Sequence, residues 1–159
     1  MEKRTLYRNI DVIILLLSCS TLLLSQQYGI QLMPGSSLTA GDGSEIEITD
    51  GSFGNDGTFI AQGESTITFN GNTIQEIGGA EATAFSNLTV NNTTGLSITG
   101  GAVSVGRILL CNGLLETNGK MTLRSWGDGT ALIDGAGTGT ISGNVTMQRY
   151  LPDGFGYIY

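Results

Sequence analysis

The chain has 159 residues, room for one domain and a leader, with 25 glycines, two prolines, no histidine and only 13% charged side chains. A formal net charge of −7 argues against nucleic acid as a partner, which needs a basic patch over its phosphates. The absence of histidine excludes a Ser–His or Cys–His catalytic pair.

Residues 1–27 read as a signal peptide. Lys3, Arg4 and Arg8 give a positive start, Val12 to Leu17 and Leu22 to Leu24 an apolar stretch, and Ser25-Gln26-Gln27 its end. The stretch is shorter than the ~20 apolar residues of a membrane span, and Ser18 to Thr21 interrupt it. Ser25 is the best cleavage candidate. Cys19 sits inside the apolar run, which Leu22 to Leu24 continue, so a lipobox is the weaker reading. The expected location is secreted or cell-surface, with membrane contact only through this export signal. Without the leader, four bases (Arg107, Lys120, Arg124 and Arg149) remain against 12 acids, a net charge of −8. Cys111 is then the only cysteine, unable to form an internal disulfide or a cysteine metal site. Its neighbours Ile108, Leu109 and Leu110 predict a buried, unreactive thiol.

Residues 28–34, around Pro34, are assigned to a linker or cap, and 35–151 to a repetitive all-β domain. Within that domain short runs alternate apolar and polar residues. Ile46 and Ile48 come first, then Ile67 and Phe69, Leu88 and Val90, Leu96 and Ile98, Val103 and Val105, and Met121 and Leu123. Ile141, Val145 and Met147 close the series. Period-two alternation turns one side of each strand inward and the other to water. Between the runs lie Gly41-Asp42-Gly43, Asn55-Asp56-Gly57, Asn70-Gly71-Asn72, Gly78-Gly79, Gly100-Gly101, Asn112-Gly113, Asn118-Gly119 and Gly127-Asp128-Gly129. These are corner chemistries. Ala80 to Ser86 lacks a second apolar turn and reads as a loop or one helical turn. Residues 152–159 read as the truncated start of a further β segment.

The predicted fold is a right-handed parallel β-helix or β-solenoid, with a β-sandwich as the alternative. Loose self-similarity favours the solenoid: Asn87 to Asn92 with Gly143 to Met147, and Asn112 to Thr117 with Asn118 to Leu123. Stacked coils would grow a core without helices, leaving uncovered ends as the weak points. The Pro34 region is a candidate cap for the first end, and no cap is visible for the second.

Several chemistries can be tested along the chain. Glu45, Glu47 and Asp50 form the densest acidic group, and Glu45 and Glu47 share one side of a strand at ~7 Å. That spacing is within the ~5–9.5 Å of glycosidase carboxylates, but a solvated strand face is the favoured reading. Asp42, Asp56, Asp128 and Asp134 stand beside glycines, as calcium-binding turns do, but no stretch fits the Gly-Gly-x-Gly-x-Asp register. Gly135 to Gly139 lacks the Lys and helix of a phosphate loop. Thr66/Thr68 and Thr138/Thr140 are two Thr-x-Thr pairs, short of the array that ice-binding solenoids use. Trp126, Tyr150, Phe155, Tyr157 and Tyr159 are candidates for stacking on sugars. No catalytic, cofactor-binding or metal-ligating residue is assigned, and no cofactor is expected.

Thr66 to Gly78, Phe85 to Asn92 and Ile141 to Pro152, in that order, resemble the Gly/Asn/Thr-rich β-repeat region of large proteins exported by the type IX secretion system. The resemblance spans roughly residues 35–152. It implies an N-terminal fragment of a longer surface protein whose C-terminal sorting domain lies beyond this sequence, and it transfers no catalytic residue. The expected function is a non-enzymatic exported module, a structural spacer or adhesin-like part. The alternative is a carbohydrate-binding or accessory region of a polysaccharide-degrading β-helix enzyme. A surface polysaccharide or other extracellular polymer is the expected partner.

Overall fold

The computed structural model describes residues 28–152. All of its regular structure is β, in stacked coils that each contribute one short strand to three faces. The first coil carries β1 (Tyr28–Leu32), β2 (Ser37–Ala40) and β3 (Glu45–Thr49), the second β4 (Ser52–Asn55), β5 (Thr58–Ala61) and β6 (Thr66–Asn70). The third carries β7 (Gln75–Gly78), β8 (Thr83–Phe85) and β9 (Asn87–Val90), the fourth β10 (Leu96–Ile98), β11 (Val103–Val105) and β12 (Ile108–Cys111). In the fifth, β13 (Leu114–Glu116) and β14 (Met121–Leu123) are followed by a small hairpin, β15 (Ser125–Trp126) and β16 (Gly129–Thr130), before β17 (Leu132–Ile133). β18 (Thr140–Ser142) and β19 (Val145–Met147) open a sixth.

The first face is the sheet β1-β4-β7-β10-β13-β18, and the third is β3-β6-β9-β12-β17. The second face is divided into β2-β5 and β8-β11-β14-β19. Every pairing is parallel except the β15–β16 hairpin. Parallel neighbours need a long crossover, and here the other two faces of the same coil supply it. The chain is a β-solenoid, as its alternation and glycine punctuation predict.

Register turns the alternation into ladders. On the third face Ile46 stacks on Ile67, Ile67 on Leu88 and Leu88 on Leu109, while Ile48 stacks on Phe69, Phe69 on Val90 and Val90 on Cys111. Each step there is 21 residues. The outward members of the same strands are polar until coil four, where Leu110 follows Glu47, Thr68 and Thr89. Phe53, Phe59 and Phe85, one from each of three strands, meet edge to face or tilted inside the early coils, with centroids 5.2–6.0 Å apart. Phe69, Leu88, Val90, Leu96, Ile98 and Leu115 have no exposed surface. At roughly 25 cal/mol per Å² of apolar area removed from water, these shared rungs supply the drive to stack.

Apart from Thr83, which points inward from β8, the buried polar residues lie at corners or at strand ends beside them, where coils are bolted together. Gln75 donates through Nε2 to the carbonyls of Ile48 (2.9 Å) and Gly51 (2.7 Å), and accepts from Asn92 Nδ2 (2.8 Å). Asn92 Oδ1 accepts the backbone N–H groups of Thr94 and Gly95. Asn55 ties its corner to Ala82 and Thr83 in the next coil.

Residues 28–34, expected as a linker or cap, include β1, which pairs in parallel with β4 and forms the first rung of the first face. Ile30 and Leu32 carry the alternation, with Gly29 just ahead of them. Two readings of the sequence are corrected. Ala80 to Ser86, read as a loop or one helical turn, holds a strand in its middle: Thr83 and Phe85 point inward from β8 and stack on Val103 and Val105, and only Ala80 to Ala82 and Ser86 are loop. Small, helix-tolerant alanines around them hide a three-residue strand. The self-similar segments also match across faces rather than along one: Asn87–Val90 lies on the third face and Val145–Met147 on the second, while β13 and β14 are consecutive faces of one coil. The leader, with Cys19 and Ser25, lies outside the described residues, as does 153–159.

Candidate binding groove

The corner between the second and third faces takes four residues in each of coils one and two and fewer in the next two. In coil three Ser86 alone separates β8 from β9, and in coil four Gly106-Arg107 separates β11 from β12. Their amides continue the ladder, Gly106 N–H to Phe85 O and Arg107 N–H to Ser86 O. Coil five departs from this rule. Six residues, Ser125 to Thr130, project as the β15–β16 hairpin, with Gly127-Asp128 as its turn. Its base is closed by the Ala131 N–H donating to Arg124 O at 2.8 Å, and the ladder resumes with Leu132 N–H to Arg107 O. The Ser125 and Thr130 hydroxyls meet at 2.6 Å across it.

The hairpin overhangs the corners of the preceding coils and encloses a cavity of about 580 Å³. Small residues, among them Ala61, Gly63, Ala84 and Gly106, line it together with Arg107, Arg124, Trp126 and Asp128. A Cβ on Gly106 would come within 3.1 Å of the Trp126 ring, so the indole packs closely over this glycine. The Arg124 guanidinium lies 4.7 Å from the Trp126 ring centroid, a cation–π contact. Arg107 is paired with Glu64 at 2.7 Å on the surface. Tyr150 donates its backbone N–H to Ser125 Oγ (3.0 Å) and lies beside Gly127. Two of the aromatic residues considered for sugar stacking, Trp126 and Tyr150, therefore meet at one hairpin. Phe155, Tyr157 and Tyr159 lie outside the described residues.

The acids have other employment. Asp50 Oδ1 accepts the backbone N–H of Asn72 (2.6 Å) and of Thr73 (3.1 Å) from the following coil. The N–H of Asn72 above all, with help from Thr73, holds its carboxyl below the usual value of 3.8, against the opposing effect of burial. Asp42 accepts from Glu64 N–H, Asp56 from Ala80 N–H, and Asp134 from Ala136 N–H. Glu45 and Glu47 stand outward on β3, and Glu47 accepts from Thr49 and Asn70. Among the described residues no three His, Cys, Asp or Glu side chains gather as a metal ligand set. Cys111 is buried, and burial pushes its thiol up from its ordinary value of 9.0. Thr66 and Thr68 lie on the third face, whereas Thr140 lies on the first, so the two Thr-x-Thr pairs do not form one array.

Along the chain Arg107 and Arg124 are far apart, and nothing local in the sequence links them. The coil brings them to one cavity. The available signal is a broken rhythm: Leu109 stacks on Ile133, 24 residues on, where the three preceding steps on that face take 21. A turn sequence, Gly127-Asp128-Gly129, sits inside that longer step. No family model, curated protein or solved structure matches the chain.

Proposed function

We propose that this chain is an exported, non-enzymatic β-repeat module, a spacer or adhesin-like part of a secreted or cell-surface protein. The observation that carries the reading is the use made of its carboxylates. Asp42, Asp50 and Asp56 each accept a backbone N–H from the next coil. Acids committed to holding a corner are poorly placed to exchange protons with a substrate, which a general acid or base must do. The leader-like residues 1–27 and the resemblance to type IX-exported repeats favour a place outside the cell. A second reading, a carbohydrate-binding or accessory region, is favoured by the groove under the hairpin, where an indole and two arginines converge.

Two assays on the full chain, expressed in an export-competent Gram-negative host, test the first reading. Osmotic shock should release the protein from the periplasm, shortened by the leader. The purified protein should release no reducing ends from a panel of polysaccharides. Retention in the cytoplasm overturns export. Reducing ends that disappear in Glu45→Gln/Glu47→Gln overturn the non-enzymatic assignment.

A further inference from the structure

We infer that the groove beneath the β15–β16 hairpin binds a carboxylate-bearing saccharide, with Arg124 taking the carboxylate and Trp126 the sugar face. The inference rests on the adhesive reading above and gives it a ligand class.

Three independent features converge on this site. The first is architectural. The hairpin is an outward insertion at a corner that coils three and four make with one or two residues. It leaves the register around it intact, since Leu132 still pairs with Ile108. An insertion that contributes nothing to stacking, on one edge of a solenoid, is where such folds place recognition.

The second is charge. The bases of the described chain are not equivalent. Lys120 Nζ is engaged with the carbonyls of Thr99 and Gly100, both at 2.7 Å, and Arg107 is paired with Glu64. Arg124 and Arg149 have no carboxylate partner among the described residues, and of the two Arg124 is the one whose guanidinium lies over an indole. An acidic protein gains nothing in solubility from such a cation. A guanidinium set against an aromatic ring still presents its fork of N–H donors, which recognises a carboxylate bidentately.

The third is shape. An open groove of about 580 Å³ is of ligand size, and Arg107, Arg124, Asp128, Ser86 and Thr130 give it a polar lining beside the indole. Trp126 is still 36% exposed, which leaves indole surface for the apolar face of a sugar ring. Asp128, at the hairpin turn, lines the same cavity and can accept from sugar hydroxyls. Neutral saccharides would use the indole and Asp128 but leave Arg124 unanswered. A bare anion would use Arg124 and leave the indole idle.

Trp126 is the only tryptophan in the chain, so its emission reports on this groove alone. The full chain is titrated with hexagalacturonate, with cellohexaose as the neutral counterpart and inorganic phosphate as the bare anion. The expected result is a saturable change in Trp126 emission with the uronate. Calorimetry should find binding weakened about tenfold in Arg124→Gln, the loss of a charge-assisted pair. Lys120→Gln should stay within about twofold, since that cation faces another corner. Both variants are checked for an unchanged β-sheet circular dichroism spectrum. Equal affinity for cellohexaose, equal competition by phosphate, an equal loss in Lys120→Gln, or no saturable change at about 10 mM uronate each overturns the inference. Failure here leaves export and lack of hydrolysis to the two assays above, which do not depend on the groove.

Discussion

Asp50 shows how much one corner side chain can hold. Its backbone is left-handed, at φ 54°, a conformation that Asp and Asn tolerate better than other residues with a Cβ. Its carboxylate reaches across to two amides of the next coil. Because those N–H groups lower its folded-state value below 3.8, its contribution to stability is fully present above the unfolded value. That contribution is lost as pH falls through the folded value. Asp50→Asn keeps the backbone preference and an acceptor but removes the titration. Denaturant melts between about pH 5 and about pH 2 should therefore show the wild type losing stability faster than Asp50→Asn; parallel curves would contradict the assignment. Glycines divide in the same local way. A Cβ on Gly113 would collide with the backbone of Asn92, whereas Gly119 has open space and only a positive φ of 73°. Gly119→Ala should cost about 1 kcal/mol from the left-handed backbone, and Gly113→Ala about 3 kcal/mol from overpacking. Equal costs in chemical denaturation would show that inter-coil contact does not set the requirement. The glycines and Asn-Gly pairs are visible as corners in the sequence. Which of them press on a neighbouring coil is not, because that depends on the residue one turn away.

Strands are legible where two inward residues frame a polar one. β3, β6, β9, β10, β11 and β14 follow that rule. β8 breaks it with alanine, and β12 with an unbroken apolar run, Ile108-Leu109-Leu110-Cys111, in which Ile108 and Leu110 point out. No local rule picks the two outward residues of four apolar neighbours; the register with Leu88 and Val90 does. The β15–β16 hairpin belongs to a different category, since it adds nothing to the ladder. Deleting Ser125 to Thr130 joins Arg124 directly to Ala131, whose N–H already bonds Arg124 O. The resulting two-residue corner matches Gly106-Arg107 of the coil before. The deleted chain should keep the circular dichroism of the parent and unfold within about 1 kcal/mol of it, while losing all uronate binding. Loss of the β signal would show that the hairpin is part of the scaffold.

At the scale of the molecule, strand pairing joins each coil only to its neighbours, so stability accrues rung by rung. The last rungs are less covered: Met147 is 67% exposed and Ile133 44%, whereas their counterparts two coils earlier, Val105 and Leu88, are fully buried. The solenoid itself can be read from alternation, glycine spacing and the scarcity of helix formers. The groove cannot, because its walls come from four coils whose members are far apart in sequence. A 21-residue rhythm, once known, exposes both the stack and its interruption. The central claim is that consecutive coils lie in parallel register and shelter one another's interior, and Thr68 and Thr89, outward partners on β6 and β9, offer its most direct test. Parallel neighbours stand about 4.8 Å apart, inside the range that a disulfide spans, whereas a partner displaced by two residues is about 8 Å away and outside it. Mild oxidation of the double variant Thr68→Cys/Thr89→Cys should give a disulfide between the two introduced thiols, mapped by mass spectrometry, and Thr68→Cys/Asn91→Cys should give none. Equal bridging of the two pairs, or none in the first, would contradict the stacked register.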